Sequence, residues 1–338
     1  GARRMETHKG GDAVLDWLTD MNESINGLLE EPWTQYRDYY DTPAEFQDDW
    51  LAANGLDPNE TDPTTIGLAR VDNFGFWEIE RENYANGTVY DWQDFLFQTG
   101  VRQDYDVSVS GRNERASYYF SLGYSNRESV QKWESFETIT SRLNLDVSLA
   151  EWLNVGVNAS FSFQDEGREP VGNGSYRVYS PYDQPWAIGA PQTRENLNDQ
   201  AAGSNLSNPY QTPSWNTRMY NRFMVNPTIF TKVDLPLGFS FRMDYTPRFD
   251  TRKRFDFDEQ GNPQRAVDEA VRRHNDSFAW QWNNILSWDK QFGEHRFNVT
   301  GLYNAEKTQT WETLGVTSNF QPTAALGFHG MAFGVNPG

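Results

Sequence analysis

Eight stretches of alternating polar and apolar residues, joined by connections that are in turn short and long, constrain this fold more than any other feature. The stretches are 103–111, 116–126, 137–149, 153–164, 221–235, 237–249, 277–290 and 295–307. The short connections are 112–115, 150–152, Pro236 and 291–294, whereas the long ones are 127–136, 165–220 and 250–276. Short turns at one end and long loops at the other are typical of a transmembrane β-barrel.

The third and fourth stretches show the alternation most clearly, because apolar odd-numbered residues follow one another from Ile139 to Leu149 and from Leu153 to Phe163. Successive side chains of a strand point to opposite faces, so each strand has one apolar face and one polar face. We predict that the apolar face contacts lipid, with even-numbered residues taking over at 278–288. Its members include Val107, Leu143, Val147, Val157, Phe161, Val225, Phe239 and Phe241.

The polar face carries charged residues, which fit a wide aqueous lumen better than the tightly filled interior of a small barrel. The residues predicted to face this lumen are Arg142, Asn144, Asp146, Asn158, Arg242 and Asp244. We therefore expect the fold class to be all-β, a piece of a large antiparallel transmembrane barrel with long extracellular loops that contain some helix. A large soluble β-sandwich is the alternative. Ordinary strands average about 5–6 residues, whereas the stretches here are longer, which favours the barrel.

Composition narrows the function classes. Lysine and arginine total 29 and aspartate and glutamate 48, so the net charge is 29 − 48 = −19. This excess of acid argues against nucleic-acid binding, which needs a basic face, and mildly against a polyanionic glycan as ligand.

The chain starts without an apolar export segment and closes on the turn-like Asn336-Pro337-Gly338. We expect it to be part of a longer protein.

The residues outside the strands form two further regions. Residues 1–102 are expected to be an extracellular loop region with helical segments, because Val14, Leu15, Leu18, Met21, Ile25 and Leu28 recur at helical spacing. Residues 308–338 are expected to start a further extracellular loop or strand.

Asp57, Glu60 and Asp62 lie in the turn-rich segment 54–64. They offer carboxylates for calcium but lack the spacing of a known calcium loop, so an ordinary solvated turn is the favoured interpretation.

The long loop 165–220 is rich in aromatic residues among Gly, Pro, Asn and Ser. Loops on a rigid scaffold often carry binding residues, and flat aromatic rings suit the apolar faces of sugars or peptide side chains. The candidates for substrate contact are Tyr176, Tyr179, Tyr182, Trp186 and Trp215. The alternative is that these rings only pack the loop.

Catalytic and metal-binding patterns do not emerge from the sequence. The histidines His8, His274, His295 and His329 are far apart and none has a second ligand at metal spacing. Nucleophile elbows, phosphate loops and distinctive paired carboxylates are also missing. The sequence predicts neither an enzyme nor a resident cofactor or metal.

A resemblance to a known family rests on linked motifs across about 88–165. They are Asp91-Trp92, the run from Tyr105 to Gly111, Tyr118 to Tyr124, Arg142 to Asp146, and Trp152 to Gly156. Their order and spacing resemble the early barrel of the SusC/RagA family of TonB-dependent outer-membrane transporters. Beyond that block the resemblance persists as strand-and-loop rhythm together with Asn208-Pro209-Tyr210. Arg112 stands where a second glycine is usual, and 127–130 replaces a glycine-containing turn.

This resemblance implies a barrel of about 22 strands with a plugged lumen, of which this chain supplies about eight strands. It also implies energy from TonB, a SusD-like surface lipoprotein as partner, and oligosaccharides or peptides as substrates in a Gram-negative, Bacteroidetes-like outer membrane. Two other functions stay open at this point. One is a TonB-dependent siderophore or cobalamin receptor, and the other is a passive porin or surface adhesin.

Overall fold

The computed structural model describes Leu15 and residues 39–40, 42–172, 179–198, 208–259, 267–321 and 323–337. The chain divides into two compact units. The loop unit comprises residues 1–98 and 171–215, and the sheet unit comprises residues 99–170 and 216–338. Leu15 is helical and buried, whereas the other members of the predicted helical pattern, Val14, Leu18, Met21, Ile25 and Leu28, lie outside the described residues.

The loop unit contains short helices. They are α1 Gln47–Ala53, α2 Pro63–Asn73, α3 Glu78–Ala85, α4 Trp92–Leu96 and α5 Gln211–Trp215, with single 3-10 turns at Ala44–Phe46 and Arg194–Asn196. Among the described residues, no helix has both the length and the apolar character needed to cross a membrane.

The acidic turn before α2 is organised by its own hydrogen bonds. Asp57 accepts the backbone N–H of Asn59 at 2.8 Å, and Glu60 accepts that of Asp62 at the same distance. Asp62 begins α2 by accepting the N–H groups of Thr64 and Thr65, with Pro63 at the first helical position. Each carboxylate considered for calcium thus has a local structural partner.

The sheet unit is one antiparallel sheet whose strands follow the order of the sequence. The strands are β1 Val101–Arg112, β2 Ala116–Glu128, β3 Ser135–Ala150, β4 Leu153–Asp165, β5 Asn216–Asp234, β6 Phe239–Asp258, β7 Glu269–Phe292, β8 His295–Phe320 and β9 Gly334–Pro337. The eight predicted strands are confirmed, and β9 adds a short ninth. The described residues contain no second sheet packed against this one, as a sandwich requires.

Four strands extend five or more residues beyond the bounds that the sequence analysis predicted. β5 begins at Asn216, β6 continues to Asp258, β7 begins at Glu269 and β8 continues to Phe320. The predicted loop 250–276 therefore shrinks to 259–268, and the boundary proposed at 307 lies inside β8. The amphipathic pattern fades in these extensions because charged residues such as Arg252, Lys253 and Arg254 are adjacent. Strand pairing nevertheless continues through them.

The pairing register fixes which residues share a face. Phe161 pairs with Val225, Val225 with Phe249, and Phe249 with Phe278. Because paired residues point to the same side of a sheet, the apolar face passes from odd residues on β6 to even residues on β7. It returns to odd residues on β8, where Phe278 pairs with Gln309. The predicted switch at 278–288 and back is confirmed.

Aromatic pairs lie near both ends of the apolar face. Phe239 and Trp288 are 6.1 Å apart at the end with the short turns, and Phe249 and Phe278 are 4.8 Å apart toward the other end. Ten residues of β6 separate the two pairs, which corresponds to about 33 Å along a strand. At a tilt of about 40° the band between them is about 25 Å tall, the height of the apolar band of an outer-membrane barrel.

Candidate functional site

Two of the predicted substrate-contact residues belong to the core of the loop unit. Tyr179 is buried and stacks on Trp92 with ring centroids 4.3 Å apart. Tyr182 is buried beside Phe76 and Tyr84. Their rings present little free face to a ligand, so the prediction of direct substrate contact does not fit these two. Tyr176 lies outside the described residues.

The two predicted tryptophans are more accessible. Trp186 is half-buried, with its ring 4.6 Å from Tyr210. Trp215 is also half-buried, and the Arg194 guanidinium lies over its ring at 4.4 Å from the centroid. A cavity of about 400 Å³ opens beside the residues that follow Trp186 and is lined in part by Ala187, Ile188 and Asn198. Of the four candidates among the described residues, Trp186 and Trp215 are the two whose side chains are only partly buried.

The Asn208-Pro209-Tyr210 motif fastens this loop. The Asn208 amide donates to the backbone carbonyls of Pro185 at 2.7 Å and Asn198 at 3.0 Å. Its side-chain oxygen accepts the N–H of Tyr210, whose hydroxyl donates to the carbonyl of Phe95. Buried polar groups satisfied in this way hold a loop in one conformation, so the motif fixes the position of Trp186, whose ring contacts Tyr210.

Two carboxylates are buried in the loop unit, one on α3 and one in the same loop. Glu80 on α3 accepts the N–H of Trp77 at 2.9 Å, and Asp183 accepts that of Gln184 at 2.7 Å. Burial raises the pKa of Glu80 to about 7. Burial, with a further contribution from Glu80, raises the pKa of Asp183 to about 8. Sequence analysis did not single out these acids, because nothing local distinguishes them in an acidic chain.

The six residues predicted to face the lumen share the polar face of the sheet unit. Asn144 pairs with Asn158. Asp146 pairs with Gly156, Gly156 with Phe230, and Phe230 with Asp244. The register also places Arg142 and Arg242 on this side. The Arg242 guanidinium binds Asp244 with an Nε–Oδ1 distance of 2.9 Å. That the face borders a lumen stays a prediction.

An arginine cluster on the same face was missed by the sequence analysis. Asp250 accepts two hydrogen bonds from Arg222, one of them at 2.9 Å from Nε, while Arg248 and Arg252 approach it at 3.6 and 3.5 Å. Three guanidinium groups thus share one carboxylate. The alternation of Arg248, Asp250 and Arg252 with Phe249 and Thr251 was the signal available in the sequence.

Comparison with known proteins places this geometry in context. No protein-family model matches the chain. The TonB-dependent receptor P26 of Formosa agariphila is 28% identical over 252 residues, covering 72% of this chain and 24% of that protein. The TonB-dependent receptor SusC of Bacteroides thetaiotaomicron is 38% identical over 72 residues, or 21% of this chain and 7% of SusC.

Solved structures agree at the level of the fold. The RagAB peptide importer in its closed-closed state superimposes with a TM-score of 0.63 and 18% identity, covering 94% of this chain and 34% of the matched chain. The chain therefore spans about a quarter of the length of its first curated relative and a third of this structural neighbour. The names of these relatives do not support a passive porin or an adhesin, and they are receptors and importers rather than enzymes. In sequence the chain is similar to TonB-dependent receptors, SusC among them, and in fold it is similar to a portion of the RagAB importer.

Proposed function

We propose that this chain supplies part of the barrel of an outer-membrane transporter that imports oligosaccharides or peptides with energy from TonB. The observation that carries the proposal is the continuity of one apolar and one polar face across the long strands of a single sheet. Such a sheet buries its apolar face in lipid and leaves its polar face to water. TonB-dependent receptors such as SusC are outer-membrane proteins, which supports this location at the family level.

The same proposal gives the chain an orientation and partners. The short turns lie on the periplasmic side, and residues 1–102 and the loop 165–220 lie outside the cell. A SusD-like surface lipoprotein covers the barrel, and TonB engages a plug in the wider protein. The proposed setting is the outer membrane of a Gram-negative, Bacteroidetes-like cell. Catalysis has no place in this function.

Substrate contact in the loop unit is assigned to Trp186 and Trp215. Their half-buried rings are held by Tyr210 and Arg194 respectively. A rigid aromatic face gives a large contact area at small entropic cost, which suits flexible oligomers. Tyr179 and Tyr182 are assigned to the support of this loop.

Uptake measured in living cells tests the function. Cells that produce the whole transporter are given fluorescent oligosaccharides and peptides, with and without a functional TonB. Import of at least one ligand that stops when TonB is inactivated is the expected result. Uptake that continues at the same rate without TonB contradicts the proposal and favours passive diffusion.

The double substitution Trp186→Ala and Trp215→Ala tests the loop contacts in the same assay. Each lost ring contact is expected to weaken ligand capture by about five- to tenfold, since aromatic contacts contribute about 1 kcal/mol or more. Trp152→Ala is the matched control, because Trp152 is exposed in the short turn between β3 and β4. Unchanged affinity in the double variant, at normal protein levels in the membrane, rules out these two residues as contacts.

A further inference from the structure

The polar face of the sheet unit carries a row with an arginine at each end, although the chain as a whole is acidic. Arg142 on β3 pairs with Ser160 on β4, and Ser160 pairs with Asn226 on β5. On β5 and β6, Val225 pairs with Phe249 and Ile229 pairs with Tyr245. The register is the same at both pairs, so Asn226, one residue after Val225, lies opposite Arg248, one residue before Phe249. Arg142 and Arg248 therefore lie in one row, three strand spacings apart, or about 14 Å between their backbones.

Among the described residues, carboxylates do not fully balance the positive charge at either end of this row. Arg142 is exposed, and none of the salt bridges among the described residues includes it. Arg248 shares Asp250 with Arg222 and Arg252, and Arg222 makes the two short hydrogen bonds to that carboxylate. One negative charge cannot balance three positive ones, so the guanidinium of Arg248, about half exposed, retains the capacity to bind an anion.

A cavity next to Arg142 supplies neutral hydrogen-bonding groups. It has a volume of about 350 Å³. Its lining consists of Arg142, Phe161, Met224 and five hydroxyl-bearing residues, Ser121, Thr140, Ser141, Ser160 and Ser162. Met224 continues the cavity toward Arg248, whose Nη2 lies 3.4 Å from the Met224 sulfur. Hydroxyl groups both donate and accept, so this wall matches the hydroxyls of a sugar ring better than the apolar side chains of a peptide.

From this arrangement we propose that the polar face between Arg142 and Arg248 binds an oligosaccharide that carries carboxylate or sulfate groups. The two arginines bind anionic groups on separate sugar residues, and the serine and threonine hydroxyls bind the sugar between them. The net charge of −19 disfavours a polyanion only on average. Within about one Debye length, roughly 8–10 Å, the local guanidinium groups govern the attraction. This inference rests on the proposed function, because it requires the polar face to border the transport path.

Binding to the purified whole transporter tests the inference without requiring import. Four probes of similar length are titrated at low salt, namely tetragalacturonate, a chondroitin sulfate tetrasaccharide, maltotetraose and tetraglutamate. At least one anionic saccharide is expected to bind tenfold or more tightly than neutral maltotetraose, and added salt is expected to reduce that preference. Both of these probes carry carboxylates and only the second carries sulfate, so tighter binding of the second shows that sulfate contributes.

The variants Arg142→Gln and Arg248→Gln, alone and together, locate the site. Each loss of a charge-assisted contact is expected to lower the affinity for the anionic saccharide by about tenfold or more. The affinity for maltotetraose should change little. Arg296→Gln is the matched control, because Arg296 is an exposed arginine near the short turn between β7 and β8.

Three results would overturn the inference. They are equal affinity for neutral and anionic saccharides, full anionic affinity in the double variant, and a clear preference for tetraglutamate over both anionic saccharides. Failure of the proposed function is distinguishable, since it is measured as uptake. A transporter that binds the anionic saccharide at this row but imports nothing contradicts the function and leaves the binding site in place.

Discussion

At the scale of single residues, the buried acids Glu80 and Asp183 make the stability of the loop unit depend on pH. Their ordinary pKa values are 4.5 and 3.8, and the folded values are raised to about 7 and 8. The folded state therefore binds these protons more tightly than the unfolded chain. Their contribution to stability is fully present below about pH 4 and is lost as the pH rises through 7 to 8.

The substitution Asp183→Asn is expected to remove much of this dependence. The asparagine still accepts the N–H of Gln184 but has no charge to bury, so the loop unit should gain stability at pH 8.5 and gain much less at pH 5. Hydrogen exchange of amides in 78–85 and 179–185, corrected for the intrinsic rate at each pH, measures the effect. The exposed Asp49→Asn serves as control. Equal protection in parent and Asp183→Asn at pH 8.5 contradicts the prediction.

The residue scale also shows what the sequence could predict of the candidate site. Arg142 and Asp244 were placed on the polar face because alternation alone determines the face of a strand residue. The sequence could not show that Tyr179 and Tyr182 are buried, because an aromatic residue in a loop looks the same in sequence whether it packs or binds. Glu80 is buried through tertiary contacts with the loop after Tyr179, and no local pattern encodes such a contact.

At the scale of elements, the segment after β8 is fastened by an aromatic cluster. Phe328 packs against Phe255, Phe257, Ala270 and Phe320, and its ring centroid is 5.7 Å from that of Phe255. This packing buries the apolar residues of the strand extensions, which explains why β6 and β7 continue beyond their predicted ends. Charged neighbours obscured those extensions in the sequence, although Phe255 and Phe257 keep the odd-numbered alternation.

Replacement of Phe328 by alanine is expected to release this segment. Truncation of a buried phenylalanine costs about 3–5 kcal/mol, a cost that falls here on the local packing of 323–333. Limited proteolysis should then cut within 321–333 much faster, while β1–β4 stay protected. Leu326→Ala, which truncates an exposed side chain of the same segment, is the control. Similar cleavage of both variants would show that Phe328 does not hold the segment.

At the scale of the whole molecule, the periodicity of the strands predicted the architecture because a sheet in lipid must be amphipathic along its entire length. The predicted alternation of short turns and longer loops is confirmed by the bounds of the strands among the described residues. The register between strands could not be predicted from single strands, since it depends on cross-strand pairs such as Phe249 with Phe278. The locally cationic row on an acidic chain follows from that register.

Neighbouring residues on β4 offer the sharpest test of which face meets the membrane. Val157 pairs with Ile229, which pairs with Tyr245 between the two aromatic ends of β6, so Val157 lies near the middle of the apolar band. Arginine on the lipid face at that depth costs about 2–4 kcal/mol, whereas arginine in place of the adjacent Asn158 faces water. We expect Val157→Arg to lower the free energy of unfolding of the whole transporter in lipid vesicles by that amount and Asn158→Arg to change it little. A larger loss for Asn158→Arg would place the polar face against lipid, and equal effects would contradict a sheet with lipid on one face only.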